Sequence, residues 1–329
     1  MNRVLVVYTG GTIGMRPDAA SGGLVPALSG EELVDRDPAL GAIADVEVLG
    51  WGAKPSSALD FADVLDIAST VRRGAERSDV DGVVVVQGTD LLEETAFALD
   101  LLLDLGKPLV LVGAMRAAED PASDARENLR DAVRVAATPE AAGAGAVVVA
   151  AGCVHAAEEV VKTHTTALAA FASPNRGPLG RPGEAARLPR RAAGPRIPMP
   201  AAAAPVGMIM AGIGVAGNEV GAALAAGASG LVVVATGSGQ THPGLLRRAA
   251  DALAGGVPVA LASRCLAGGV NTTYGYPGGG AQWARAGAIL AGTLAPSKCR
   301  VALALGIGAG LADADLAEVI ARPARARQG

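Results

Sequence analysis

Short apolar runs recur along the chain, and each leads into a glycine-containing turn and then a segment rich in alanine and leucine. The runs are nearly continuous rather than alternating, which is typical of strands covered on both faces of a parallel sheet. The strands predicted in this way are Val4–Val7, Gly82–Val86, Leu109–Val112, Val147–Ala150, Gly207–Met210, Leu231–Ala235 and Val257–Leu261.

Helical stretches lie between these runs. In one of them Leu91, Thr95 and Leu102 recur at helical spacing, and Glu93 and Glu94 occupy the end where the helix dipole favours negative charge. The predicted helices are Glu93–Leu105, Asn128–Ala136, Glu219–Ala226, Pro243–Ala254 and Pro296–Leu305. Because strands and helices alternate, the chain is predicted to be an α/β protein.

The composition indicates how such a chain is divided and packed. Its 329 residues suffice for two domains, and with 50% apolar but only 2% aromatic residues the core must consist mainly of Ala, Val and Leu. From Gly177 to Pro205 the periodicity fails, which indicates a connection or an exposed excursion. We therefore predict an N-terminal domain over 1–180, a linker over 181–204 and a smaller C-terminal domain over 205–329.

Charge and cysteine usage exclude several classes of partner. The net charge of -4 argues against a nucleic-acid partner, and the basic run Arg181–Arg196 is interrupted by Pro and Gly. The apolar run Val4–Tyr8 is too short for a signal peptide, and no stretch is long enough to span a membrane. Cys153, Cys265 and Cys299 are dispersed and odd in number, so we expect a soluble cytoplasmic protein without a disulfide framework.

Two polar clusters directly follow predicted strands, where open α/β sheets bind ligands. Thr9–Thr12 contains two glycines that allow a tight turn with exposed backbone N–H groups beside the Thr12 hydroxyl. A phosphate-binding loop or a plain turn is the alternative for this segment. Gln87–Asp90 presents Thr89 and Asp90 together, although Thr89 would also suit a helix cap.

Two further segments carry polar side chains. Lys162, within Val161–Thr165, is either a solvated surface residue or a proton relay beside Thr89 and Asp90. The segment Lys54–Ser57 offers hydroxyls for a substrate carboxylate, but on its own it is a generic loop. The three histidines match no metal or triad signature, so no metal site is predicted.

Together these segments resemble the bacterial L-asparaginases. The resemblance rests on Thr9–Met15 (TGGTIGM), on Gly88–Asp90 with Glu93–Thr95, and on Lys162-Thr163. The strand that runs into TGGTIGM is most similar to the cytoplasmic branch. Weaker matches follow in order at Gly113–Arg116, Ser123-Asp124, Asn128-Leu129, Ala172–Gly180 and Ser263-Arg264.

The resemblance implies a two-domain fold, with a mixed, mostly parallel N-terminal sheet and a smaller flavodoxin-like parallel C-terminal domain. It also implies homodimers or homotetramers in which the C-terminal domain of one subunit closes the site of its neighbour. The implied reaction is hydrolysis of a small-molecule amide, L-asparagine, to L-aspartate and ammonia through a threonine acyl-enzyme. No metal or cofactor is implied.

The resemblance also assigns roles to individual residues. Thr12 is the implied nucleophile, and Thr89, Asp90 and Lys162 form the second catalytic set. The implied substrate-binding positions are Gly11, Ser56, Ser57, Gly88, Asp90 and Ala114. Of these, Asp90 receives the α-ammonium and Ser56 and Ser57 the α-carboxylate, and backbone around Thr12, Thr89 and Ala114 binds the amide and its oxyanion.

The chain departs from the family in three places. A tyrosine that assists the nucleophile is replaced by Leu24, and the family's Gly-Asn-Gly is Gly237-Ser238-Gly239. The loop Asn271–Gly280, which supplies a carboxylate to the neighbouring subunit in many relatives, contains none. We hypothesise that Tyr274 or Tyr276 substitutes for the missing phenol, and that Ser238 and these tyrosines act in a neighbour's site.

Three interpretations remain open from the sequence. The first is an asparaginase with a substitute for the tyrosine. The second is an enzyme of the same mechanism that acts on another carboxamide, for instance in secondary metabolism, because Leu24 would open the site and add apolar contact. The third is a weakened homologue kept for binding an amino acid or a protein.

Overall fold

The structure is a computed structural model that describes residues 1–190 and 194–325. The chain forms two compact units, Met1–Arg191 and Ala192–Gly329. The strands of the first unit are β1 (Arg3–Tyr8), β2 (Met15–Asp18), β3 (Gly23–Pro26), β4 (Asp45–Gly50), β5 (Gly82–Val86), β6 (Leu109–Val112), β7 (Ala146–Ala150), β8 (Cys153–Ala156), β9 (Val161–Lys162) and β10 (Phe171–Ala172). Its helices are α1 (Gly30–Asp35), α2 (Phe61–Glu76), α3 (Leu92–Leu102) and α4 (Ala125–Ala136).

The main sheet of the first unit has six strands in the order β4-β1-β5-β6-β7-β8. All neighbours run parallel except β7 and β8, which are antiparallel. Tyr8 is in register with Val86, and Val86 with Val112, so β1, β5 and β6 end at one edge of the sheet. The prediction of a mixed, mostly parallel N-terminal sheet is confirmed.

The apolar runs form the buried centre of this sheet. Each of the residues of β1 from Val4 to Val7 and of β5 from Val83 to Val86 is 0% exposed. The segment predicted as a connection also contributes to this core. Residues of a 3-10 helix at Pro182–Arg187 pack against α4, and Ala185 and Leu188 are buried. The first unit therefore continues beyond residue 180.

The second unit is built on a parallel sheet of four strands in the order β11-β12-β13-β14. Its strands are β11 (Val206–Met210), β12 (Gly230–Ala235), β13 (Val259–Ser263) and β14 (Ile289–Leu290). Its helices are α5 (Asn218–Ala225), α6 (Pro243–Ala254), α7 (Gly280–Arg285), α8 (Pro296–Gly308) and α9 (Asp313–Arg325). The expected C-terminal parallel α/β domain is confirmed.

Several predicted element ends differ from the structure by up to three residues. The strand predicted at Val257–Leu261 begins two residues later, because the Val257 N–H bonds to Ala252 in the turn that ends α6. The helix predicted to reach Leu105 ends at Leu102, where Leu103 takes an extended conformation. Within the part of the chain that the structure describes, no helix is long and apolar enough to cross a membrane.

Candidate active site

The turn that carries Thr12 starts where β1 ends. Thr9 is buried and bonds to the carbonyl oxygen of Val86 through both its backbone N–H and its hydroxyl, at 2.9 Å each. Gly10 and Gly11 follow with φ values of 105° and 108°, which favour glycine. Thr12 then begins a short 3-10 helix and is partly exposed. Thr12 thus lies at the edge where the parallel strands end.

The turn after β5 packs directly against this one. A Cβ atom on Gly11 would lie 2.4 Å from the backbone nitrogen of Gly88. A side chain at Gly11 would therefore collide with this backbone, and a Cβ atom on Gly88 would lie 2.7 Å from the Ser56 hydroxyl oxygen, which explains why glycine occupies both positions. The two predicted motifs, far apart in the sequence, therefore form one surface that contains Thr12, Thr89 and Asp90.

Lys162 completes a hydrogen-bonded set with the second motif. Its Nζ donates to the Thr89 hydroxyl at 2.8 Å and pairs with the Asp90 carboxylate at 2.9 Å. The Thr89 residue is 7% exposed, and the side chain of Lys162 is 18% exposed. By contrast, the Asp90 side chain is 63% exposed, so its carboxylate can also meet an incoming cation. Lys162 is thus an ordered partner of Thr89 rather than a solvated surface lysine.

Ser56 lies beneath the second motif. It is buried, and its hydroxyl accepts a hydrogen bond of 3.2 Å from the Asp90 backbone N–H. Ser57 beside it is exposed. The preceding Lys54 forms an ion pair with Asp63 on α2. Burial opposes ionisation of Asp63, but the hydrogen bond from Lys54 contributes to a net lowering of its pKa.

The loop after β6 borders the same surface. A Cβ atom on Gly113 would lie 3.0 Å from the Thr89 methyl group, and Ala114 is buried next to it. Asp124 accepts hydrogen bonds of 3.1 and 3.0 Å from the Met115 and Arg116 N–H groups. This carboxylate fixes the loop, so backbone groups near Ala114 are held in place.

Asn128 links this loop to the next strand. It donates 3.1 Å to the Gly113 carbonyl and accepts 3.1 Å from the Ala151 N–H. Ala151 follows β7 and has a φ of 48°, a strained value for a residue with a side chain. Asn128 of α4 therefore connects the loop after β6 to the end of β7, next to the candidate site.

The segment after the Thr12 turn is a hairpin of β2 and β3. Leu24 pairs with Pro17 across this hairpin and is 46% exposed. At its base, the N–H groups of Ala27 and Leu28 donate to the Gly14 carbonyl at 3.0 and 2.9 Å. Leu24, the residue predicted to replace the family tyrosine, thus lies on a hairpin anchored next to Thr12.

Three predicted site residues lie in the second unit. Ser238 exchanges two hydrogen bonds with Gln240, at 3.0 and 3.1 Å. Tyr274 and Tyr276 are exposed, with ring centroids 5.7 Å apart. Their proposed part in a neighbour's site stays a prediction.

A further contact of Lys162 does not follow from the sequence. The Glu93 carboxylate accepts a hydrogen bond from the Lys162 backbone N–H. The sequence signal for this contact is the pair of acidic residues at the start of α3. The favourable interaction of acidic side chains with the helix dipole is enough to explain that pair.

Other candidate groups lie outside this arrangement. Burial raises the pKa of the Cys299 thiol to about 12, as expected for a structural cysteine. In the described ranges 1–190 and 194–325, no cluster of three or more His, Cys, Asp and Glu residues could hold a metal ion.

Both units match family models. Residues 3–193 match the asparaginase N-terminal model, and residues 205–320 match the glutaminase/asparaginase C-terminal domain. The chain is 37% identical over 331 residues to the probable L-asparaginase of Deinococcus radiodurans, with 96% of each chain covered. It is 32% identical over 308 residues to the L-asparaginase of Bacillus licheniformis, covering 92% of this chain and 94% of that protein.

A solved structure agrees with these matches. The probable cytoplasmic L-asparaginase from Campylobacter jejuni superimposes with a TM-score of 0.85 at 27% identity, over 97% of this chain and 99% of that one. The resemblance predicted from the motifs is thereby confirmed, and this chain belongs to the asparaginase family of amidohydrolases.

Proposed function

We propose that this protein hydrolyses the side-chain amide of L-asparagine to L-aspartate and ammonia, with Thr12 as the nucleophile. The observation that carries the proposal is the set formed by Lys162, Thr89 and Asp90, at 2.8 and 2.9 Å, beside the Thr12 turn. The substrate is supported by relatives named L-asparaginase over nearly the whole chain.

The first stage is acylation. The Thr12 hydroxyl oxygen attacks the amide carbon, a C–O ester bond forms and the carbonyl oxygen becomes an oxyanion. Fixed backbone donors near Gly11, Gly88 and Ala114 stabilise this charge, which is usually the largest catalytic contribution. The C–N bond then breaks, and the nitrogen leaves as ammonia with the proton that Thr12 lost.

The second stage is hydrolysis of the ester. A water molecule attacks the acyl carbon, and the Thr12 hydroxyl is regenerated as aspartate leaves. Thr89 and Lys162 form a hydrogen-bonded route along which a proton can leave the attacking water and return to the Thr12 oxygen as the ester C–O bond breaks, and Asp90 accepts a hydrogen bond from the lysine. This sequence of steps uses side chains and water, so the proposed reaction requires no metal or cofactor.

Substrate recognition follows from charge. The exposed carboxylate of Asp90 suits the α-ammonium of an amino acid, and the hydroxyls of Ser56 and Ser57 suit its α-carboxylate. Ser56 bonds to Asp90, so the two recognition elements are joined at the second motif. A free amino acid that carries an amide side chain fits this arrangement.

The test is ammonia release from L-asparagine by the purified protein. Thr12→Ala should abolish turnover, whereas Thr165→Ala, an exposed threonine, should retain it. Hydroxylamine should capture the acyl group as a free hydroxamate, and peptide mass spectrometry of protein quenched in acid during turnover should locate the ester on Thr12. Turnover that survives Thr12→Ala would overturn the mechanism.

A second candidate keeps the mechanism and changes the substrate. Leu24 is exposed on the hairpin next to the site, where it could add apolar contact to a larger carboxamide. L-glutamine, the D-isomers and larger carboxamides should therefore be assayed in parallel. Acylation of Thr12 only by another amide would favour this candidate, and no acylation by any of them would favour a binding role.

We further infer a cytoplasmic homodimer or homotetramer. The solved relative from Campylobacter jejuni is named a cytoplasmic L-asparaginase, and the three cysteines of this chain are dispersed. In such an assembly Ser238, Tyr274 and Tyr276 would act in a neighbour's site. Light scattering tests the assembly, and mixing Thr12→Ala with Ser238→Ala subunits should restore part of the activity if sites are shared.

A further inference from the structure

We propose that Glu93 is a positioning residue that holds Lys162 in reach of Thr89. The proposal rests on the proposed function and deepens it, because it names a group that acts on the lysine and not on the substrate. Its basis is the hydrogen bond from the Lys162 backbone N–H to the Glu93 carboxylate.

The strand that carries Lys162 needs such a partner. β9 pairs only with β10, as a two-stranded antiparallel sheet within the described part of the chain. The Thr163 N–H donates 2.7 Å to Ala170 on the β10 side, so the N–H of Lys162, one residue earlier, points to the opposite side. The Glu93 carboxylate accepts the hydrogen bond from this N–H. The other strand of the two-stranded sheet does not accept it.

Lys162 is therefore held at both ends by one short segment. Its backbone is bonded to Glu93, and its Nζ is bonded to Thr89 and Asp90. Asp90 lies two residues before α3 begins and Glu93 lies in its first turn, so one short segment provides acceptors for both the backbone and the side chain of the lysine. Because a lysine side chain has four rotatable bonds, fixing its backbone narrows the positions that Nζ can reach.

The simpler explanation is that Glu93 only stabilises the helix. An acidic residue in the first turn interacts favourably with the helix dipole wherever its side chain points. Glu94 lies in the same turn of α3 and carries the same charge, so it shares that effect. Glu94→Ala is therefore the matched control, and Glu93→Gln keeps a neutral acceptor for the Lys162 N–H.

The first measurement separates kcat from KM for L-asparagine. Glu93→Ala should lower kcat by about 10- to 100-fold and change KM by less than about threefold, because a misplaced catalytic group slows chemistry more than binding. Glu93→Gln should recover most of kcat, and Glu94→Ala should stay within about threefold of wild type. Equal losses in Glu93→Ala and Glu94→Ala, or a wild-type kcat in Glu93→Ala, overturn the proposal.

The second measurement needs no substrate. Amide hydrogen exchange of a peptide spanning Val161–Thr163 should be about tenfold faster at Lys162 in Glu93→Ala and unchanged in Glu94→Ala. Faster exchange with an unchanged kcat overturns the positioning role. The two proposals fail in different ways. If the wild type releases no ammonia from L-asparagine, the proposed function fails. If amide exchange at Lys162 is unchanged in Glu93→Ala, Glu93 does not hold Lys162, whatever the substrate is.

Discussion

The phenol of Tyr8 donates a hydrogen bond of 3.0 Å to the backbone carbonyl oxygen of Leu28. Its ring also lies against Gly14, where an added Cβ atom would come within 2.1 Å of the phenol oxygen. Tyr8 precedes the turn of Thr12, and Leu28 follows the hairpin that carries Leu24. One buried side chain therefore joins the two ends of the segment that carries Thr12.

This contact predicts coupling between two substitutions. Gly14→Ala should destabilise the protein by about 1–3 kcal/mol, because the methyl group overlaps the phenol oxygen. Tyr8→Phe should cost about 1 kcal/mol for the lost hydrogen bond but make room for that methyl group. Urea unfolding should then give a double variant less destabilised than the sum of the two. Gly41→Ala, with nothing within 4 Å of the added atom, is the control, and additive effects would contradict the prediction.

The same phenol predicts a loss of stability in alkali. Burial, with a smaller contribution from the charge of Glu32, raises the pKa of Tyr8 above its ordinary value. Because the folded pKa exceeds the unfolded value of about 10, this contribution is complete below about pH 10 and is lost as the pH rises through the folded pKa. The free energy of unfolding should fall more steeply across this range in wild type than in Tyr8→Phe. Equal slopes in the wild type and in Tyr8→Phe would argue against the raised pKa of Tyr8.

The contact between the two motif turns predicts a large effect at Gly11. Gly11→Ala should lower kcat/KM by at least about 100-fold, because a Cβ atom 2.4 Å from the Gly88 nitrogen must push the turns apart. Gly106→Ala is the control, since Gly106 also has a positive φ of 62° but nothing within 4 Å of the added atom. If kcat/KM falls by a similar factor in Gly11→Ala and Gly106→Ala, the effect comes from backbone strain alone and not from the contact with Gly88.

Leu24 offers a gain-of-function experiment. Leu24→Tyr should raise kcat for L-asparagine by about tenfold or more over Leu24→Phe, because the two differ only by a hydroxyl that can assist proton transfer at Thr12. Steady-state kinetics of both variants and wild type give the comparison. If the two variants are equally active, a phenol on this hairpin is not what the site lacks.

The exposed tyrosine pair tests the other source of a phenol. Tyr274→Phe and Tyr276→Phe remove the hydroxyls and keep the rings, whose centroids are 5.7 Å apart. If either hydroxyl substitutes for the missing tyrosine, the double variant should lose about 100-fold in kcat with little loss of stability. Unchanged turnover in the single and double variants would exclude both.

The central strands could be predicted because they are buried on both faces. β5 is an unbroken apolar run, and its bounds, Gly82–Val86, match the prediction. β4 was missed, since its residues Asp45 and Glu47 alternate with apolar ones and it lies at the edge of the sheet. α2 was also missed, although Asp60 and Asp63 form a capping box at its start.

Some features of the candidate site follow from sequence motifs, and others depend on the tertiary structure. The motifs identified Thr89, Asp90 and Lys162 as partners by resemblance, and the structure brings these three side chains together. The bond between Ser56 and the Asp90 N–H, and that between Glu93 and the Lys162 N–H, could not be predicted. Both join a side chain to a backbone group in a different segment of the chain. Such contacts depend on how the segments pack against each other in the folded protein.

The close approach of Gly11 and Gly88 also sets the order in which the site can form during synthesis. Thr12 lies in the first turn of the chain, but the backbone that faces it follows β5, and Lys162 arrives only with β9. Contacts between such distant segments form late, because closing a long loop costs entropy before the contact can repay it. A nascent chain that has folded only its first strands therefore exposes Thr12 without Thr89 and Lys162 beside it, and these side chains come together only when most of the first unit has been made.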